Sequence, residues 1–179
     1  MLKDTYLKKI APQFEKKYEI KNKFAIPKPM KVTLNIGLGE ALKDSGIIEN
    51  VEKDLIAIAG QKPVRTKARK SVADFELRKG DVIGLKVTLR RDKMWHFLEK
   101  LVSIVLPRVK DFRGISPTAF DAKGNYTLGL VEYIVFPEID PAKVAKIKGL
   151  SIAVSFNTSD TNLNRDMMKE LGFIFKEKQ

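Results

Sequence analysis

The sequence predicts an α+β fold: an antiparallel or mixed β-sheet with helices packed on one face, a polar, basic open face, and a long basic loop. Three observations predict it. Residues 31–36 and 81–91 alternate polar and apolar side chains, as half-buried strands do. Residues 2–18, 47–58 and 94–109 instead repeat apolar residues at helical spacing. The resulting order is helix, strand, helix, strand, strand, helix, strand, strand, helix, which breaks the strict strand–helix–strand alternation of a parallel sheet. With 179 residues, 44% of them apolar, the chain is long enough to bury a real core as a single domain over residues 1–179.

In the first helix Leu2, Tyr6, Ile10, Phe14 and Tyr18 form one apolar stripe, and Pro12 inside it predicts a kink or a restart near Ala11. Residues 22–29 are a connector, with Pro27 and Pro29 holding the backbone before them extended. In the strand at 31–36, Val32, Leu34 and Ile36 face the core while Lys31, Thr33 and Asn35 face away. Ile47, Val51, Leu55 and Ile58 give the next helix, and Gly60 ends it. Residues 62–66 are extended. Residues 67–79 lack any period and read as a long, mobile, exposed loop. In the strand at 81–91, Val82, Gly84, Lys86, Thr88 and Arg90 point one way and Ile83, Leu85, Val87 and Leu89 the other. A buried helix runs from Asp92, its expected N-cap, to Lys110, with Pro107 distorting its last turn. Residues 121–125 are a turn. Strands follow at 126–136 and 150–157, with a short helix expected after Pro141 between them. Asp160 caps the last helix, Gly172 stops it, and the tail from Phe173 adds a short strand.

Charge is concentrated. Lys and Arg number 34 against 22 acids, a net +12 with pI near 9.8. Residues 61–91 alone hold ten bases and three acids, with no acid between Gln61 and Ala73. Such a segment points to a polyanion, and nucleic acid is the first candidate. If the strands at 31–36 and 81–91 are neighbours, Asn35, Lys86, Thr88 and Arg90 form a platform on the open face. Its cations suit phosphates, and its amide and hydroxyl suit sugars and base edges.

Other signals are weaker. Gly37-Leu38-Gly39 lacks the third small residue and the following acid of a dinucleotide-binding turn, and is better read as letting backbone pass close to a neighbour. His96 has no evident carboxylate or nucleophile beside it, and reads as structural. Glu138 and Asp140 are too few to hold a metal and read as an exposed acidic corner. With no cysteine, thiolate chemistry, disulfides and cysteine-bound zinc are excluded, in keeping with a cytoplasmic protein. The residues call for no cofactor and no metal. A nucleic-acid-modifying enzyme using His96 or the Glu138/Asp140 pair, and a peripheral membrane protein using the first helix, are the rival readings.

Several long motifs stand in sequence: KVTLNIGLGEAL, GQKPVRTKARKSVADFELRKGDVIGLKVTLR, MWHFLEKLV, LPRVKDFRGIS, FDAKGNYTLGLVEYIVFPEID and GLSIAVSFNTS. In content and order they resemble the bacterial-type large-subunit ribosomal protein L five family, from about Met1 to Lys176. The resemblance implies a non-catalytic protein of the central protuberance that binds 5S rRNA, helps attach it to 23S rRNA, and adjoins other central-protuberance proteins, with no membrane partner. By motif position, the 5S-contacting set includes Asn35, Gln61, Lys62, Thr66, Thr88 and Arg90. Arg65, Lys67 and Lys86 join it from the basic run and the platform. The resemblance also implies that a loop holding Arg69, Lys70, Ser71, Val72, Ala73, Asp74, Phe75, Arg78 and Lys79 reaches the P-site tRNA. It further implies a bridge to the small-subunit protein S thirteen through Phe136, Pro137, Glu138, Ile139, Asp140, Lys143 and Lys146.

Overall fold

Alternation along the strands decides which way each one faces. In β1 (Pro29–Gly37), Val32, Leu34 and Ile36 are buried and Asn35 is exposed. In β3 (Val82–Leu89), Leu85, Val87 and Leu89 are buried while Lys86 is exposed and Thr88 half-buried. A computed structural model of the chain describes residues 1–39, 45–141, 144 and 148–176. Among these, four helices and five strands follow one another in the expected order. They are α1 (residues 2–17), β1, α2 (Ser45–Ala59), β2 (Val64–Lys67), β3, α3 (residues 91–108), β4 (Tyr126–Leu130), β5 (Leu150–Phe156) and α4 (Thr161–Glu170). The strands form one antiparallel sheet in the order β2-β3-β1-β5-β4.

The chain divides into two compact units. Met1–Val32, Leu89–Leu128 and Ala153–Gln179 form the first, and Thr33–Thr88 with Gly129–Ile152 form the second.

In the first unit, α1 buries Tyr6, Ile10 and Phe14, and the Tyr6 ring lies 5.2 Å from that of Trp95 on α3. The disturbance expected at Pro12 is a widened π-turn at Tyr6–Ile10, after which the α-helix resumes at Ala11. Proline has no N–H to give and its ring crowds the carbonyl four residues back, and a wide turn relieves both. The same arrangement recurs in α3, where a π-turn at Leu101–Val105 precedes Pro107. Asp92 does not cap α3. The N-cap position falls on Arg90 with no side-chain bond, and the Asp92 carboxylate instead accepts from Lys3 Nζ at 2.6 Å. Asp160 does cap α4, accepting from the N–H groups of Asn162 and Leu163. Asn164, fully buried on α4, donates to Gly124 O and Thr158 O and accepts from the Thr158 hydroxyl. The turn at 121–125 is held by Asp121 Oδ1, which accepts from the N–H groups of Lys123 and Asn125. The expected terminal strand is reduced to one parallel bridge between Ile115 and Phe175.

In the second unit, α2 buries Val51, Leu55 and Ile58, and Gly60 ends it at φ +61°. The strand expected over residues 126–136 stops at Leu130. Val131 is 85% exposed, and the chain then makes a 3₁₀ turn at Tyr133–Val135. This turn is held by the Tyr133 hydroxyl, which donates to Asp54 Oδ2 at 2.8 Å. Burial and that bond together push the Tyr133 phenol well above its usual range. The short helix expected after Pro141 lies outside the described residues.

Candidate nucleic-acid interface

The basic segment folds into two structures, an outward face of β1–β3 and a hairpin beyond it. Strand β2 pairs antiparallel with β3, setting Val64 against Lys86, Arg65 against Leu85 and Thr66 against Gly84. Directly opposed residues share a face, so Val64 and Thr66 stand with Lys86 on the polar side. At the other edge of β3, the Leu38 N–H donates to Ile83 O at 2.9 Å. The end of β1 therefore meets the start of β3, and counting back along both strands sets Asn35 against Lys86. Gln61 reaches the same strand, its Nε2 donating to Thr88 O at 3.4 Å. Asn35, Gln61, Thr66, Lys86 and Thr88 are thus brought together. Lys62 and Lys67 are exposed beside them, Lys67 after an irregularity in the ladder that follows Thr66. Arg90 is exposed just past the end of β3, in the first unit.

Arg65 is placed differently. Its register partner Leu85 faces the core, so its side chain turns toward the helix side of this edge strand. There Nη2 and Nε donate to Glu52 Oε2 on α2 at 2.6 and 2.8 Å. Glu52 is only 8% exposed, so the guanidinium is what keeps its charge tolerable. Nothing in the local sequence announces this pairing between residues thirteen apart on different elements.

The close approach of the three strands depends on Gly84. A Cβ there would stand 2.8 Å from Ile36 O and 2.9 Å from Thr66 Oγ1. Of the close approach by protein or RNA expected at Gly37 and Gly39, the protein part is not seen: a Cβ at either would meet nothing within 4 Å. The crowded glycine is the one inside the strand.

Residues 67–79, expected as a shapeless loop, form a closed hairpin. Ala68 N–H donates to Asp81 O and Gly80 N–H to Ala68 O at its base. Val72 and Leu77 exchange both main-chain bonds, at 2.9 and 3.0 Å. Between them lies a 3₁₀ turn, Ala73–Phe75, closed by Glu76 at φ +52°. Ser71 Oγ accepts from Lys79 N–H, and Asp81 Oδ2 from Arg78 N–H. Exposure is as expected: Arg69, Lys70, Ser71, Val72, Ala73, Asp74, Arg78 and Lys79 all face solvent.

The region 136–146 separates by burial. Phe136 is fully buried and Ile139 is 6% exposed, so both belong to the core of their unit. Pro137, Glu138 and Asp140 are exposed. Lys143 and Lys146 lie outside the described residues.

His96 is exposed on α3, one turn from an Asp92 carboxylate already taken by Lys3. That bond holds the Asp92 carboxyl below its usual range. Among the described residues no group of three or more His, Asp or Glu is placed to hold a metal, and no helix is long and apolar enough to cross a membrane.

The chain matches known proteins over nearly its whole length. Residues 22–78 match the family described as "Ribosomal protein L5", and residues 82–175 match the C-terminal region of the same ribosomal family. Proteins called "Large ribosomal subunit protein uL5" are similar along their whole length. The one from Acidobacterium capsulatum is 47% identical over 176 residues, covering 98% of this chain and 97% of that protein. Those from Idiomarina loihiensis and Desulfatibacillum aliphaticivorans are 45% and 48% identical, each with 98% of both chains covered.

Proposed function

The chain belongs to the ribosomal protein L5 family, structural and non-enzymatic components of the large ribosomal subunit, and from that premise we propose that it binds 5S rRNA and helps fasten it to 23S rRNA in the central protuberance of cytoplasmic ribosomes. One observation carries the proposal: the outer face of β1–β3 gathers Asn35, Thr66, Lys86 and Thr88 on paired strands, interrupted by Val64 and the half-buried Val82. Lys86, Lys62, Lys67 and Arg90 neutralise phosphates. Asn35, Gln61, Thr66 and Thr88 bond ribose hydroxyls and base edges, so a folded RNA is read by shape as much as by sequence. Arg65 serves this face indirectly, bracing edge strand β2 against α2 through Glu52. No bond is made or broken, and no cofactor is required.

The hairpin at residues 68–81 reaches the P-site tRNA with Arg69, Lys70, Arg78 and Lys79, and Phe75 lies in the 3₁₀ turn near its tip. Pro137, Glu138 and Asp140, with Lys143 and Lys146, contact the small-subunit protein S thirteen. Phe136 and Ile139 support that segment from beneath, because burial keeps them from a partner.

The test is filter binding of 5S rRNA over a range of salt. Lys86→Ala combined with Arg90→Ala weakens binding and flattens the log–log salt slope by about 0.7–0.9 for each lost phosphate contact. Both side chains are exposed, so the fold persists. A double variant with wild-type affinity and slope removes the sheet face from the proposal. Shortening residues 72–79 spares 5S binding and impairs P-site tRNA; loss of 5S binding instead would mean that the surface is divided otherwise.

A further inference from the structure

The first unit presents a second feature that suits RNA. Phe24 is 92% exposed, the most exposed large apolar side chain among the described residues. Its backbone is tightly held. It lies in a 3₁₀ turn, Lys23–Ala25, whose Phe24 N–H donates to Asn22 Oδ1 at 2.9 Å. Asn157, at the end of β5, grips the turn from the other side. Its Nδ2 donates to Phe24 O and Ile26 O at 3.1 and 3.0 Å, and its Oδ1 accepts from Lys28 N–H at 2.7 Å. A pinned backbone carrying a bare ring is pre-organised for a flat partner, since little freedom remains to be lost on binding.

The surroundings select that partner. Lys21, Lys23 and Lys28, within four residues of Phe24, are all exposed, and Lys23 and Lys28 line the same groove as the ring. Phe24 lines an open groove of about 560 Å³, floored by the buried Tyr6 and Ile26 and edged by Leu7, Pro12 and Met30, with the acid Glu15 also on its wall. An apolar floor with a lysine rim matches a nucleotide, whose base is flat and apolar-faced and whose phosphates are anionic. We propose that Phe24 is a stacking platform for an unpaired nucleobase of ribosomal RNA, with Lys21, Lys23 and Lys28 on the flanking phosphates. This rests on the rRNA-binding reading but uses none of the residues on the sheet face. The base is supplied by either 5S or 23S rRNA, and the chemistry is the same for both.

The experiment titrates the full chain with 5S rRNA and, separately, with a 23S rRNA transcript. Phe24→Leu keeps the apolar bulk and removes the π-face, and it weakens binding to one of the two RNAs roughly five- to a hundred-fold. Phe24→Trp keeps or tightens that binding, and the introduced indole is quenched when the same RNA is added, against the constant background of the buried Trp95. Wild-type affinity of Phe24→Leu for both RNAs overturns the proposal and leaves the groove to an apolar protein partner. Loss with Phe24→Leu but not with Lys86→Ala/Arg90→Ala upholds the stacking site and discards the sheet-face reading. The opposite pattern discards the stacking site alone.

Discussion

Replacing Gly84 with alanine tests whether the sheet face proposed for RNA is built as described. The backbone there does not need glycine for its dihedrals; Gly84 is absent from the positive-φ glycines. The obstacle is space. The new methyl would stand 2.8 Å from Ile36 O and 2.9 Å from Thr66 Oγ1, where ordinary contact begins at 3.4 Å. The Thr66 hydroxyl can swing to another rotamer, but the Ile36 carbonyl is main chain of the neighbouring strand and can move only with β1. Overpacking of this kind costs about 1–3 kcal/mol. For a chain of this size that lowers the melting temperature by about 2–12 °C. The assay is thermal unfolding followed by circular dichroism, with 5S rRNA binding measured well below the transition. In a Thr66→Ala background one of the two contacts is gone, so the same substitution costs less, while the share due to Ile36 persists. Binding falls in the single variant because Thr66 and β1 are both displaced. If Gly84→Ala melts within about 1 °C of wild type, or costs as much with Thr66→Ala as without it, the close approach of the three strands is wrong.

Two further outcomes follow from the first unit. Asn164→Leu keeps the branched skeleton with bulkier ends and removes the partners of Gly124 O, Thr158 O and the Thr158 hydroxyl beside a fully buried side chain, so it destabilises by about 2–4 kcal/mol in urea unfolding. A loss under about 1 kcal/mol would show that those groups find other partners. Tyr18 donates to Asp166 Oδ2 at 2.6 Å, and this bond is the main cause holding the Asp166 carboxyl below its usual range. A depressed folded pKa contributes stability above the unfolded carboxyl value and loses it as pH falls through the folded one. Tyr18→Phe is therefore less stable than wild type by about 1 kcal/mol near neutrality, discounted because the pair is partly exposed. The gap closes in acid. The same bond raises the Tyr18 phenol, so its contribution is present below the ordinary phenol range and lost as pH rises through the raised value. A gap that is constant from neutral pH into acid would refute the assignment.

Local patterns made much of this legible. Alternation in β1 and β3 identified which side of each strand would be open, and Lys86 and Asn35 lie where it put them. The Asp160 cap and the Gly60 and Gly172 stops are short-range signals and were equally readable. What escaped depends on contacts distant in sequence or on main-chain bonds that no side chain advertises. The apolar run through Val131, Ile134, Val135 and Phe136 resembles continued strand, and the turn that replaces it is held in part by the Tyr133–Asp54 bond, 79 residues apart. The hairpin at 68–81 is closed by amide-to-carbonyl bonds, so its composition looked like an open loop. Asp92 has the chemistry of a cap but found Lys3, 89 residues away. Phe136 is buried although the next two residues, Pro137 and Glu138, are exposed, as adjacency along a chain carries no depth.

The widened turn in α1 also settles a mismatch of periods. Apolar residues four apart advance about 400° on a regular helix, so each lands about 40° past the one before, and Tyr6, Ile10 and Phe14 would drift around the cylinder. A π-turn admits one extra residue, as a leap day lets a calendar catch up with the sun. The stripe keeps facing inward although its beat is too slow for an ordinary helix. Pro12 marks where the correction is inserted, and Pro107 marks a second such date in α3.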